Sequence, residues 1–241
     1  MKEDFVFNEE IQLEIIKNCM YDKDYNSIIQ YIKNPTKLAC MEVIKQHSYN
    51  IQYIKNATDE MKLAAIKQDS YSIQYIDNPS EEIKLEAVKG NGNVIQYIKN
   101  PSEKLCLEAV KKSGASIKYI DNPTDEMKLA AIKQDGYAIK FIKNPTEEMC
   151  LEAVKNYGDA IEYIKNPTDE MKLAAIKRDG CSIRYINNPT EEMYIESLKD
   201  YSSIMYINKK EQSFKIVEEF FNSCKNNKTK YSYTHLFKYL S

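Results

Sequence analysis

Acid–base chemistry near neutral pH has little to draw on in this chain, which carries two histidines, His47 and His235, in 241 residues. Cys40 lies seven residues before His47. On one helix that is about two turns and ~10.5 Å of rise, beyond the hydrogen-bond reach a thiolate–imidazole pair needs. The cysteines stand at 19, 40, 106, 150, 181 and 224 with no C-x-x-C pair, and in a chain of this length they read as reduced thiols. There is no glycine-rich phosphate loop, no G-x-S-x-G and no metal-ligand spacing. The sequence therefore predicts no catalytic residue, no metal and no cofactor. The chemistry left to it is recognition.

Recognition residues recur every 22 positions. Tyr31, Tyr53, Tyr75, Tyr97, Tyr119, Phe141, Tyr163 and Tyr185 form an aromatic row, and Phe141 shows that one place dispenses with the hydroxyl, which favours packing. The residue before each runs Gln30, Gln52, Gln74, Gln96, Lys118, Lys140, Glu162, Arg184. A row that changes while its frame repeats is where a repeat protein can encode a ligand. Tyr49 and Tyr71 sit one turn before Tyr53 and Tyr75, so the first half offers an aromatic and amide surface of the kind that makes protein hot spots. The candidate partner-binding residues are Gln52, Tyr53, Gln74, Tyr75, Gln96, Tyr97, Lys118, Tyr119, Lys140 and Arg184.

Two further rows carry charge. Lys45, Lys67, Lys89, Lys111, Lys133, Lys155, Lys177 and Lys199 share one place in the period. Near a helix C-terminus they complement the dipole, and they could also track phosphates, although neighbouring acids dilute the field. The other row alternates: Cys40, Lys62, Lys84, Cys106, Lys128, Cys150, Lys172, Tyr194, with Asp69, Asp135 and Asp179 seven residues after three of its lysines. It predicts lysines lying along the repeat, cysteines acting as small hydrophobes, and Lys–Asp salt bridges between neighbouring repeats, the whole forming a groove of alternating charge.

The frame that positions these rows is written in the prolines. They stand at 35, 79, 101, 123, 145, 167 and 189, every gap 22 residues except the first, which is 44. Ala57 fills the skipped place, so eight tandem units run from Pro35 to about Lys210. In the unit Pro123 to Asn144, Asn122 reads as N-cap, Pro123 as the first helical residue, and Asp125 and Glu126 as first-turn acids, Asp125 at capping-box spacing. Lys133 falls in the last turn, Gly136 reads as a left-handed stop, and a short second helix follows over 137–143. A leucine-rich-repeat strand would need large apolar residues where Gly136 and Thr146 stand. The fold class predicted is an all-α solenoid of helix-turn-helix repeats. Roughly seven apolar side chains per unit give ~10–20 kcal/mol, against ~1–2 kcal/mol of backbone entropy for each residue, so one unit needs its neighbours.

The domain reading is one continuous solenoid: a degenerate leading repeat and N-terminal cap over 1–34, eight repeats over 35–210, and C-terminal capping helices over 211–241. Asn8 to Lys17 matches the first helix of a unit, with extra residues around Tyr21 to Asp24. Phe214, Val217, Phe220 and Phe221 line the side of the tail helix expected to cover the last repeat.

The run Glu108-Ala109-Val110-Lys111, then Gly114, Ile117-Lys118-Tyr119-Ile120 and Asn122-Pro123-Thr124 resembles the short helical repeats of a domain-of-unknown-function family found in proteins of large DNA viruses, phages and bacteria. The resemblance covers 57–188 well. It implies an all-α repeat fold and no particular activity.

Composition narrows the partner. The chain is 43% apolar and 29% charged with a net charge of -2, which excludes disorder and gives no global case for nucleic acid or anionic lipid. No run approaches the ~18 apolar residues of a membrane span, and Met1-Lys2-Glu3-Asp4 lacks a secretory start. The expectation is an intracellular protein, in the host cytoplasm if its source is viral, with a protein partner and no membrane. Nucleic acid is the alternative partner, through the lysine row and the basic stretch Lys225 to Lys230.

Overall fold

The computed structural model describes residues 8–18, 28–207, 215–216, 218–219 and 222. Among these residues every regular element is helical, one α-helix and one short 3-10 helix to each repeat. The α-helices are α1 (Glu9–Asn18), α2 (Lys37–Gln46), α3 (Asp59–Gln68), α4 (Glu81–Gly90), α5 (Glu103–Lys112), α6 (Asp125–Gln134), α7 (Glu147–Asn156), α8 (Asp169–Arg178) and α9 (Glu191–Ser197). The expected all-α repeat solenoid is observed. Its second helix is a 3-10 helix over Gly136–Phe141 rather than an α-helix over 137–143, because six residues are enough to close i→i+3 bonds but too few to propagate an α-helix.

The helix starts are corrected as well. Thr124, not Asn122, is the N-cap of α6: it is extended, and its hydroxyl accepts from the Met127 N–H at 3.3 Å. Thr or Ser caps every helix from α2 to α9 in the same way. Asn122 adopts φ 53°, the left-handed region, and so do Asn34, Asn56, Asn78, Asn100, Asn144 and Asn188. Asparagine tolerates that region better than any side chain but glycine, so it reverses the chain after each 3-10 helix and leaves Pro123 ahead of the α-helix rather than in it. Gly136 is not a left-handed stop, since no described glycine has positive φ. It is buried, and a Cβ there would stand 2.5 Å from the Ala153 carbonyl oxygen. The glycine permits close approach of the next helix.

Two compact units make up the chain, Met1–Ile120 and Asp121–Ser241. In the first, α1 to α5 stack each on the next, and the 3-10 helices form a parallel row beside them. The second repeats this with α6 to α9. At one place in the period Ala65, Ala87 and Ala109 in one unit, and Ala131, Ala153 and Ala175 in the other, are fully buried. Small side chains let the backbones close, while Ile51, Ile73 and Ile95, like Ile139, Ile161 and Ile183, plug the 3-10 helices into the stack.

Polar side chains stitch neighbouring repeats. Gln68 Nε2 donates to the Lys45 carbonyl at 3.1 Å, and Asn156 Nδ2 to that of Lys133 at 2.8 Å. Arg178 Nε donates to the Asn156 carbonyl at 2.8 Å. These bonds satisfy last-turn carbonyls that a helix leaves without partners. The expected Lys–Asp bridges between repeats are replaced by bridges within a helix. Lys62, Lys84, Lys128 and Lys172 pair with the first-turn acids Asp59, Glu81, Asp125 and Asp169, three residues earlier. Asp69, Asp135 and Asp179 instead accept from the N–H groups of Tyr71, Tyr137 and Cys181, capping the 3-10 helices. The local acid is reached without crossing between repeats, and the distant one is already engaged. Phe214, Val217, Phe220, Phe221, Tyr21 to Asp24 and the stretch 225–230 lie outside the described residues; Ile216, in the tail, is buried.

Candidate functional site

The 3-10 helices present the changing row. Because Ile51, Ile73 and Ile95 point into the first unit, the residues after them, Gln52, Gln74 and Gln96, are exposed. Each donates its side-chain amide back to a carbonyl three residues earlier, those of Tyr49, Tyr71 and Asn93, at 3.0 Å. The aromatic row lies alongside: Tyr75 and Tyr97 are 37% and 40% exposed, and Tyr53 is half-buried. Tyr49 meets Tyr75 of the next repeat edge to face at 5.5 Å, and Tyr71 meets Tyr97 at 6.1 Å. The Tyr49 hydroxyl donates to the Asp69 carboxylate at 2.6 Å, and this bond pushes its pKa up to about 12. Tyr119 is also exposed, with the Lys118 ammonium 4.7 Å from its ring centre.

In the second unit the row carries charge at Lys140, Glu162 and Arg184. Lys140 Nζ lies 5.0 Å from the ring centre of Tyr137, 5.4 Å from that of Tyr163 and 5.9 Å from that of Phe141. It also donates to the Tyr137 hydroxyl at 2.7 Å, which holds that phenol below its usual pKa. Tyr137 packs edge to face on Tyr163 at 5.4 Å and on Tyr157 at 6.1 Å. Arg184 stacks over Tyr185 and Tyr206, donates to the Tyr206 hydroxyl at 3.2 Å and forms an ion pair with Asp159. Asp159 is buried and accepts a second bond from Ser182 Oγ at 2.8 Å.

Of the predicted residues, Gln52, Tyr53, Gln74, Tyr75, Gln96, Tyr97, Lys118 and Tyr119 belong to the first unit, and Lys140 and Arg184 to the second. The sequence reading did not single out Tyr137, Asp159 or Tyr206. A signal for the first two is present: one place in the period runs Tyr49, Tyr71, Asn93, Ala115, Tyr137, Asp159, Cys181, and so varies as much as the row from Gln30 to Arg184.

The lysine row is exposed in all eight repeats and sits in the last helical turns, except for Lys199, which follows the end of α9. Lys45, Lys111 and Lys199 are paired with Glu42, Glu108 and Glu196. Cys40, Cys106 and Cys150 are buried, and burial pushes their thiols up, the opposite of what a thiolate nucleophile requires. Asp179, Cys181 and Asp200 bring ligand-type atoms within 4.8 Å of one another, with both carboxylates engaged by the N–H groups of Cys181 and Ser202. No helix among the described residues is long and apolar enough to cross a membrane.

Comparison with known proteins places a family match inside this repeat array. The family described as a domain of unknown function (DUF4116) matches residues 125–172, the stretch from the start of α6 to the first turn of α8. No curated protein and no solved structure matches the chain.

Proposed function

We infer that this protein is a non-catalytic repeat scaffold that binds a protein partner along the faces that the 3-10 helices form within its two units. The observation that carries this reading is the division of labour within each repeat. Ile and Ala positions that build the stack are buried and nearly invariant, whereas the exposed row beside them changes from Gln52, Gln74 and Gln96 to Lys118, Lys140, Glu162 and Arg184. Each exposed glutamine is held by its own backbone, and each neighbouring tyrosine by a ring contact or partial burial, so little side-chain freedom is lost when a partner lands. Changing Lys118 to Glu, or Gln52 and Gln74 to Lys, should weaken the partner while leaving helicity and melting temperature nearly unchanged, as measured by titration and circular dichroism.

The exposed lysine row supports a second reading, nucleic-acid binding. It predicts an affinity that falls steeply with salt and is insensitive to Gln52 and Gln74. A duplex titration between ~50 and ~200 mM salt separates the two readings.

A further inference from the structure

The molecule contains its own reference for what its aromatic pairs hold. Lys140 lies three residues after Tyr137 and 23 before Tyr163, and its ammonium sits over both rings. Gln52 stands in the same relation to Tyr49 and Tyr75, and Gln74 to Tyr71 and Tyr97. The ring pairs match: centroids 5.4 Å apart for Tyr137–Tyr163, 5.5 Å for Tyr49–Tyr75 and 6.1 Å for Tyr71–Tyr97, all edge to face. What differs is the side chain that would fill them. Each glutamine turns back to a backbone carbonyl and brings no charge. Arg184 brings a guanidinium over the Tyr206 ring, with Cys181 rather than an aromatic residue three places before it.

We propose that the Tyr49–Tyr75 and Tyr71–Tyr97 pairs are open cation sites that receive lysine or arginine side chains of a protein partner, the place Lys140 fills from within at the Tyr137–Tyr163 pair. The proposal rests on the partner-binding reading of this face and names the chemistry of the partner. Local electrostatics favour a cation: the Tyr49 hydroxyl is bonded to the Asp69 carboxylate, which adds negative charge beside the first pair, and the exposed rings offer their electron-rich faces. Stacked helices are ~10 Å apart, a span that three residues of extended chain cover at ~3.3 Å each. The fitting partner is an extended basic segment with cations three residues apart.

The test is fluorescence anisotropy of the full chain with fluorescein-labelled Gly-Ser-Arg-Ser-Ser-Arg-Ser-Gly and with its counterpart in which both arginines are citrulline, neutral and of nearly the same shape. The arginine peptide should bind about tenfold more tightly than the citrulline peptide. Gln52→Lys with Gln74→Lys, which supplies an internal cation to each pair, should remove about that tenfold without lowering the melting temperature. Lys140→Gln, which vacates the Tyr137–Tyr163 pair, should raise the binding stoichiometry. Equal binding of the two peptides, no binding of either at millimolar concentration, or indifference to the double substitution overturns the proposal. Its failure is separable from that of the broader reading: a natural partner weakened by Tyr75→Ala with Tyr97→Ala, alongside equal binding of the two peptides, keeps the face and removes the cation sites. A partner indifferent to every one of these variants removes both.

Discussion

Ser72, Ser116 and Ser182 occupy one place in the period, and all three are fully buried. Ser182 donates to Asp159, whereas the hydroxyls of Ser72 and Ser116 find no partner in the protein. A buried polar group left unpaired carries its desolvation cost with no return, and Ala138 and Ala160 fill the same place without it. Ser72→Ala or Ser116→Ala should therefore leave stability unchanged or raise it by up to ~1 kcal/mol. Ser182→Ala should cost about 1–2 kcal/mol, because the buried Asp159 loses a donor. Arg184→Met should cost about 1–3 kcal/mol for the same reason, since it strips the carboxylate of its ion pair. Urea unfolding midpoints check all of these. A marked loss in Ser72→Ala would mean that its hydroxyl is bonded after all.

At the scale of one repeat, stability depends on how each helix begins and how closely the next can approach. Thr124→Ala removes the acceptor for the Met127 N–H and should cost about 0.5–2 kcal/mol. Asn122 contributes through its backbone: Asn122→Gly should be nearly neutral, whereas Asn122→Val, forced to φ near 53°, should cost about 1–2 kcal/mol. Gly136→Ala drives a methyl group against the Ala153 carbonyl and should cost about 1–3 kcal/mol. Thermal melts of the four variants rank them; an Asn122→Gly loss as large as that of Thr124→Ala would restore Asn122 as the cap. The period and its two helices were legible because proline, asparagine and glycine recur where turns must be. The cap was misread because asparagine serves both as N-cap and as left-handed residue, and only φ separates those roles. A six-residue stretch such as Gly136–Phe141 cannot declare by periodicity whether it is α or 3-10. The Lys–Asp pairing was misread because sequence spacing does not say that Asp135 is already bonded to the Tyr137 N–H. The cross-repeat bonds of Gln68, Asn156 and Arg178 leave no local trace, since their acceptors are carbonyls 22 or 23 residues away.

For the molecule as a whole, charge is nearly balanced and the core is buried and repetitive, so what varies from repeat to repeat lies in the exposed rows. Much of the candidate site was visible as a changing row of Gln, Lys and Arg beside tyrosines; the ring pairs that join one repeat to the next were not, because Tyr49 and Tyr75 meet only through the stacking of two helices. If the face of 3-10 helices is the binding surface, substitutions of its exposed residues Gln52, Gln74 and Lys118 change affinity and not stability. The lysine row gives a contrasting expectation: Lys67→Ala with Lys89→Ala should leave protein-partner affinity within about twofold, as exposed charges away from an interface contribute little. The most direct measurement is isothermal titration of a partner enriched from the native host against the unaltered chain and against Gln52→Lys with Gln74→Lys, with melting temperatures recorded in parallel. The account predicts affinity reduced by about tenfold at an unchanged melting temperature. Equal affinity for both chains would contradict it.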